Sequence, residues 1–334
     1  ALALDAVLTN LTASGTVTAN VATGTNYTAN STLAAVDAYV VASGVATLTS
    51  AQANGTTISG AGGLTVTGLA ADANLDSVSA TGTVTANVAA SLDYSSNANL
   101  AAVDTFVIAD SVTGSFSAAQ GAKTITLGSG SVAKVIVASE NISGTSLSAS
   151  VTAIDVSDNK TAILSIAQAQ LAVTLGSSAV AKMSVSATTD VSSSTFDSDV
   201  SEFVVSAGIL TVTSAQANNQ TISGAGGVTI NALALDAVLT NLTASGTVTA
   251  NVATGTNYTA NSTLDAVDAY VVASGVATLT SAQANGTTIS GDGGLTVTGL
   301  AADANLGSVT AAGTVTANVA TSLDYSTNTN LGAV

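Results

Sequence analysis

The chain has 334 residues, of which 20 are acidic and 4 are basic, and its formal net charge is −16. It contains no Pro, Cys, Trp or His. Zinc sites, disulfides and catalysis by His or Cys are therefore excluded, and 4 lysines are too few for the basic surface that a nucleic-acid partner requires. Hydrophobic residues make up 47% of the chain, which argues against intrinsic disorder. No apolar run approaches the length of a membrane-spanning helix, so no membrane insertion is predicted.

In chain order, the first feature is a segment that returns near the end of the sequence. Residues 1–103 align without gaps on residues 232–334, and 94 of 103 positions are identical. The octapeptide GTVTANVA begins at Gly15, Gly82, Gly246 and Gly313. Internal repeats of this kind are typical of solenoids. We therefore predict one continuous array over 1–334: a partial super-repeat of 231 residues at 1–103, diverged short blocks at 104–231, and a near copy at 232–334.

Each block is marked by an acidic residue followed by an apolar segment and, about fifteen residues later, a glutamine. The acidic residues are Asp37, Asp104, Asp155, Glu202 and Asp268, so that two longer intervals enclose two shorter ones. Thr-x-Thr segments are centred eighteen residues apart, on Leu48, Val66 and Val84. Eighteen residues is about one turn of a β-solenoid. We therefore predict four coils in a long block and three in a short one.

Local composition predicts short strands with one buried face. Segments such as 47–49 and 64–67 alternate apolar with small polar residues, and glycine-rich turns separate them. The predicted fold is all-β, a parallel β-solenoid (β-helix) of roughly 16–20-residue coils, in which about 19 coils form an elongated rod of about 90 Å. Stacked like charges would repel each other, which explains the low content of charged residues. Pro cannot hydrogen-bond on both sides of a strand, which explains its absence. We expect stacked Thr, Ser and Asn side chains to hydrogen-bond along the axis.

The acidic residues are also candidate calcium ligands. Asp37, Asp104 and Asp268 precede predicted strands, and Asp292 lies in a Gly-Asp-Gly-Gly turn similar to part of the calcium-binding nonapeptide GGxGxD. The full nonapeptide is missing, and three or four coils between acidic residues are too many for two carboxylates to share one ion. We therefore expect no cofactor and no metal site, and expect these carboxylates to accept hydrogen bonds at turns. Calcium at these four residues is the alternative.

A polysaccharide-cleaving enzyme is one competing function, because such enzymes also use parallel β-helices. They need paired carboxylates, and the local acidic cluster here is Asp190, Asp197 and Asp199. No Arg or His accompanies it, and the near-identity of the two long segments argues against a single active site. We therefore expect that this chain is not an enzyme.

Ice binding is a second competing function, because regular Thr arrays on solenoids match the spacing of ice. Here long gaps in sequence, for example between Val17 and Leu48, interrupt the Thr-x-Thr segments. Thr is also an ordinary residue on the solvated face of a strand. Ice binding is kept as an alternative.

The segment LAAVDAYVVASGVATLTSAQANGTTISG, at residues 33–60, resembles the repeats of giant secreted bacterial surface proteins, which include adhesins and filament proteins. In those repeats an Asp-led strand is followed by a Thr-rich strand and an Ala-Gln element, as here at Asp37 and Gln52. The resemblance extends over the whole chain. It implies an extracellular, non-enzymatic fibre at the bacterial cell surface, and the missing GGxGxD departs from the calcium-dependent members.

Together these observations predict a structural protein. We expect a stiff shaft of a surface adhesin, or a self-assembling extracellular filament or biofilm-matrix fibre, with a surface-layer protein as the alternative. Both ends of the sequence lie within a repeat, so a coaxial continuation is expected. The expected partners are copies of the chain, joined end-to-end or laterally, and surface glycans.

Overall fold

The computed structural model describes residues 1–21, 23–252, 255–319 and 322–334. Its fold is all-β, with parallel sheets stacked as a β-solenoid of about 16 turns, which confirms the predicted fold class. Strand pairing sets the length of each coil, and this length varies, since Val45 pairs with Gly63 whereas Leu92 pairs with the more distant Gly114. Because many coils are longer than the spacing of the Thr-x-Thr segments, the turns are fewer than predicted.

Short strands and one-turn helices make up the coils. The strands are β1 (Thr18–Val21), β2 (Ala38–Val41), β3 (Val45–Thr49), β4 (Thr57–Gly60), β5 (Gly63–Thr67), β6 (Val78–Ala80), β7 (Val84–Val88), β8 (Leu92–Asp93), β9 (Thr105–Ile108), β10 (Thr113–Phe116), β11 (Thr124–Leu127), β12 (Val132–Val137), β13 (Val151–Val156), β14 (Thr161–Leu164), β15 (Ala172–Leu175), β16 (Val180–Val185), β17 (Thr189–Asp190), β18 (Val200–Val205), β19 (Ile209–Thr213), β20 (Thr221–Ser223), β21 (Gly227–Leu233), β22 (Val248–Val252), β23 (Ala269–Val272), β24 (Val276–Thr280), β25 (Thr288–Ser290), β26 (Gly294–Thr298) and β27 (Val315–Asn318). The α-helical turns are α1 (Ser50–Ala53), α2 (Ala118–Gly121), α3 (Ser214–Ala217) and α4 (Ser281–Ala284), and 3₁₀ turns lie at Leu33–Ala35, Ala98–Leu100 and Gln168–Gln170.

The coils fall into two compact units, residues 1–162 with 171–180, and residues 163–170 with 181–334. In the first unit, sheet A has the order β1-β2-β4-β6, sheet B has β3-β5-β7-β9-β11, and sheet C has β8-β10-β12-β13-β15. The remaining sheets are D (β14-β16-β18-β20), E (β17-β19-β21-β22-β23-β25) and F (β24-β26-β27). A typical coil gives one strand to each of two sheets, as β2 and β3 do for A and B.

Alternating side chains separate the core from the surface. In β3, Ala46 and Leu48 have no exposed surface, while Thr47 and Thr49 point outward and are half-buried. Small and branched apolar residues fill the narrow interior of each coil. Burying each Val or Leu in this way stabilises the fold by roughly 1.5–3 kcal/mol.

The Ala-Gln elements at α1 to α4 are one-turn helices. In each of them the glutamine side chain hydrogen-bonds to the preceding coil. In α2, Gln120 Oε1 accepts a hydrogen bond from the Ser117 N–H at 2.9 Å, and the Ser117 hydroxyl accepts one from the Gln120 N–H, which completes a capping box. Gln120 Nε2 donates to the carbonyls of Tyr94 and Asn97, at 3.0 and 2.8 Å, in the preceding coil. So short a helix is marginal alone, and these contacts stabilise it. The same pattern recurs at Gln52, Gln216 and Gln283.

The blocks contain fewer whole coils than predicted. β3 follows β2 in the same coil, and three successive pairings lead from β3 through β5 and β7 to β9. The long block from Asp37 to Asp104 therefore spans three coils plus one strand, so β2 lies in sheet A and its equivalent β9 lies in sheet B. The next block spans two coils plus one strand, since β10 pairs with β12 and β12 with β13. The predicted four and three coils are wrong, because a block is not a whole number of coils.

A glycine corner brings the backbones of consecutive coils close together. A Cβ atom on Gly82 would come within 2.6 Å of the Gly63 nitrogen. Gly246 and Gly313, the equivalent residues of the second unit, would clash with the same kind of corner at 2.5 and 2.6 Å. The equivalent Gly15 in the first coil has no atom within 4 Å of its Cβ position. In three of its four copies, the octapeptide GTVTANVA thus begins with glycine where a neighbouring backbone occupies the space of a side chain.

We expect Gly82→Ala to lower the free energy of unfolding by about 1–3 kcal/mol, because the neighbouring backbone must move. Gly15→Ala is the matched control and should change it by less than about 1 kcal/mol, with either sign. Urea denaturation followed by circular dichroism measures both. Equal destabilisation by the two substitutions would contradict the role of the corner.

Candidate functional site

The five acidic residues that mark the blocks belong to two different arrangements. Asp37, Asp104 and Asp268 each precede a strand, and in each case the carboxylate accepts a hydrogen bond from a backbone N–H of the preceding coil. The distances are 2.7 Å from Val17 to Asp37, 2.9 Å from Val84 to Asp104 and 2.8 Å from Val248 to Asp268. These three carboxylates therefore cap the strand below them, rather than a turn of their own coil.

Asp155 and Glu202 lie inside strands and form ion pairs. Lys134 Nζ is 2.6 Å from Asp155 Oδ2, and Lys182 Nζ is 2.6 Å from Glu202 Oε2. Burial raises the pKa of Glu202, but the hydrogen bonds from Lys182 and Ser223 and the lysine charge outweigh burial, so the net shift is downward. These two residues therefore differ from the other three in their position relative to the strand, although the sequence pattern groups all five.

The calcium candidates do not converge. Asp37, Asp104 and Asp268 each cap a separate strand, and Asp292 lies in the corner before β26. Over residues 1–21, 23–252, 255–319 and 322–334, no three Asp or Glu side chains come together as a metal site would require. Each carboxylate of the first three has a structural role that needs no ion.

The acidic cluster considered for catalysis consists of turn residues. Asp190 is exposed, and its Oδ1 accepts a hydrogen bond from the Ser192 N–H at 2.9 Å. Hydrogen bonds from the Ser192 side chain and then from its backbone N–H lower the pKa of Asp190. Asp197 Oδ1 accepts one from the Asp199 N–H at 3.0 Å. Within the described residues, neither Asp190 nor Asp197 forms an ion pair with a lysine.

Tyrosine and asparagine side chains join neighbouring coils at a loop that the sequence reasoning did not single out. Tyr94 Oη donates to the Leu69 carbonyl at 2.9 Å, and Asn97 Nδ2 donates to the carbonyls of Ala71 and Ala73, both at 2.9 Å. The same Tyr-x-x-Asn spacing and contacts recur at Tyr27 and Asn30, Tyr258 and Asn261, and Tyr325 and Asn328. The repeated Tyr-x-x-Asn spacing was the signal in the sequence from which these contacts could have been predicted.

Two core tyrosine hydroxyls have no hydrogen-bond partner among the described residues. Tyr39 and Tyr270 occupy the same position of β2 and β23, and are 0% and 1% exposed. Burial, with a smaller contribution from Tyr27, raises the pKa of Tyr39 to about 12. In the equivalent strands β9 and β18 the position is held by Phe106 and Phe203, which carry no hydroxyl. The hydroxyl is therefore not needed for packing.

Threonines line the outer face of sheet B without interruption. Five consecutive strands place one Thr in register with the next, namely Thr47, Thr65, Thr85, Thr105 and Thr124. The step from Thr65 to its partner Thr85 is longer than the expected eighteen residues, so Val84 is not the centre of its strand as predicted. The long gap in sequence does not interrupt this row, because successive blocks deliver their strands to different sheets. We call these five residues the threonine row.

The threonine row presents an uncharged surface. None of the strands β3, β5, β7, β9 and β11 contains a charged residue. Within the described residues, the five hydroxyls do not hydrogen-bond to one another, in contrast to the expectation for stacked Thr. Stacked polar side chains do bond elsewhere, as between Asn251 and Asn231 at 2.8 Å. The hydroxyls of the row are thus left for solvent or a ligand.

No protein-family model, no curated protein and no solved structure matches this chain. None of the helices in the described part of the chain is long and apolar enough to cross a membrane.

We expect Tyr39→Phe to leave the free energy of unfolding unchanged or to raise it by about 1 kcal/mol, because it removes a buried hydroxyl without a partner. Tyr94→Phe is the matched comparison and should lower it by roughly 0.5–1.5 kcal/mol, because the bond to Leu69 is lost. Thermal and urea denaturation measure both. A larger loss of stability in Tyr39→Phe than in Tyr94→Phe would contradict this difference in hydrogen bonding between the two hydroxyl groups.

Proposed function

We propose that this chain is a structural, non-enzymatic segment of a bacterial extracellular protein, in which the stacked coils act as a stiff shaft. The shaft belongs to a surface adhesin or to a filament or matrix fibre. Its mechanism is mechanical: force along the axis is carried by hydrogen bonds between consecutive coils.

The observation that carries this proposal is the recurrence of inter-coil contacts in both long segments. The bond from Tyr27 to Leu2, at 2.8 Å, is matched by the bond from Tyr258 to Leu233, at 2.7 Å. The strand caps at Asp37 and Asp268 and the glutamine contacts of α1 and α4 recur in the same way. The elements that repeat are thus those that hold coil to coil. Repetition of this kind supports a role for the array rather than for one site.

The proposal predicts a stepwise response to force. When single molecules are pulled from both ends in an atomic force microscope, coils should detach in groups, and each coil of about 20 residues should release about 65 Å of chain. The step pattern should repeat over the two long segments because their contacts are the same. Release of the whole chain in one event at low force would contradict a shaft function.

The way in which copies of the chain assemble distinguishes an adhesin shaft from a filament and from a surface layer. Electron microscopy of the purified chain over a range of concentrations should show end-to-end or lateral association if copies of the chain are its partners. A two-dimensional lattice would favour the surface-layer alternative, and single particles at every concentration would leave the shaft of an adhesin. Binding to surface glycans is tested separately below.

Ice binding is a second candidate, and the threonine row is the observation that favours it. The row repeats once per coil, at the spacing of about 4.8 Å between paired strands. It offers a methyl and a hydroxyl group at each step and no charge. An ordered layer of water is a partner that is itself periodic, uncharged and hydrogen-bonding.

Thermal hysteresis measures this second function. If the row binds ice, the native chain should depress the freezing point without an equal effect on melting, and Thr85→Lys should abolish the gap. Thr174→Lys is the control, because Thr174 points outward from β15 in sheet C, which already carries Lys134 and Asp155. No hysteresis in the native chain, or equal loss in both variants, eliminates ice binding and leaves the shaft proposal intact.

A further inference from the structure

A surface groove lies beside α2, between two segments of consecutive coils. Its walls are formed by residues 95–101 and 117–123, and its volume is about 520 Å³. This lies in the range of small-molecule sites. Ser95, Ser96 and Ser117 line it with hydroxyl groups, and Leu100 forms part of its apolar lining.

Buried amides fix the two walls of the groove. Gln120 and Asn97 are 7% and 9% exposed. The amide nitrogen of Gln120 joins the two walls through the carbonyls of Tyr94 and Asn97, at 3.0 and 2.8 Å. Because these contacts are internal to the fold, the shape of the groove exists before any ligand binds, and less ordering is required on binding.

Lys123 places a positive charge in this groove. Its Nζ lies 3.3 Å from the Ala101 carbonyl, and among the described residues no carboxylate lies within ion-pair distance of it. Lys134 and Lys182, in contrast, are both neutralised by carboxylates at 2.6 Å. The ammonium group of Lys123 can therefore still donate a hydrogen bond to an anionic group.

The first block contains a matching groove without the charge. It is lined by Asn30, Leu33, Thr49 and Gln52, which occupy the positions of Asn97, Leu100, Ser117 and Gln120, and its volume is about 460 Å³. Thr56 occupies the position that Lys123 has in the second groove. The residue after Thr56 donates its backbone N–H to the Asp37 carbonyl, and the residue after Lys123 donates its own to the Asp104 carbonyl. The chain therefore provides a natural uncharged counterpart.

We propose that the Lys123 groove binds a carboxylated sugar unit, such as one uronic acid residue of an acidic polysaccharide. The ammonium group would form a charge-assisted hydrogen bond to the carboxylate, and the serine hydroxyls would bond to sugar hydroxyls. The proposal is independent of the mechanical function. It identifies the chemistry of a surface glycan that this chain recognises.

The test uses the full chain and trigalacturonic acid as the probe, at about 0.15 M salt so that the net charge of the protein is screened beyond about 8 Å. Saturation-transfer NMR should show binding to the native chain. Lys123→Thr, which copies the first groove, should weaken it at least tenfold. Lys160→Thr removes the same charge from an exposed turn and should leave binding unchanged.

Four results would overturn the proposal, three with the acidic probe and one with a neutral probe. The first is no transfer from the native chain, and the second is equal binding by native chain and Lys123→Thr. The third is equal weakening by Lys123→Thr and Lys160→Thr, which would indicate a general charge effect. The matching neutral galactose trimer should bind more weakly than the acid, and equal binding would also contradict a site for a carboxylate. Circular dichroism of each variant establishes that the coils are intact.

Discussion

Backbone pairing between one coil and the next is the interaction on which the rest of this structure depends. Parallel strands must satisfy their N–H and C=O groups on both sides, so any residue that blocks close approach is excluded from the strand positions. The scarcity of charge, the absence of Pro and the glycine corner at Gly82 all follow from this requirement. Side chains then add a second set of bonds between coils where the backbone leaves its regular course, as Asp104, Gln120 and Tyr94 do.

The sequence was sufficient for the fold class because strand alternation and internal repetition are both visible in one chain. It was not sufficient for the number of coils in a block. The assumption that a block is a whole number of eighteen-residue coils led to four coils, whereas β2 and β9 lie in different sheets. Spacing in sequence cannot separate a whole number of coils from a whole number plus one strand, because both give a regular repeat.

The same assumption affected the candidate sites. Asp155 was grouped with Asp104 because an apolar segment follows each of them. Asp155, however, pairs with Lys134 inside a strand, whereas Asp104 caps Val84. The threonine array was predicted to be interrupted for the same reason, since the members of the threonine row come from different blocks. The role of Lys123 depends on the walls formed by two coils, and no local pattern in the sequence indicates it.

The rule that each block ends one strand further on has a consequence for how such a chain changes length over generations. The long and short blocks differ by one whole coil, three against two, and both carry the next block to the next sheet. Gain or loss of a single coil by unequal recombination therefore leaves every later strand in its proper sheet and every later glycine at its proper corner. A gene built in this way can be lengthened or shortened in steps of one coil without a compensating mutation elsewhere.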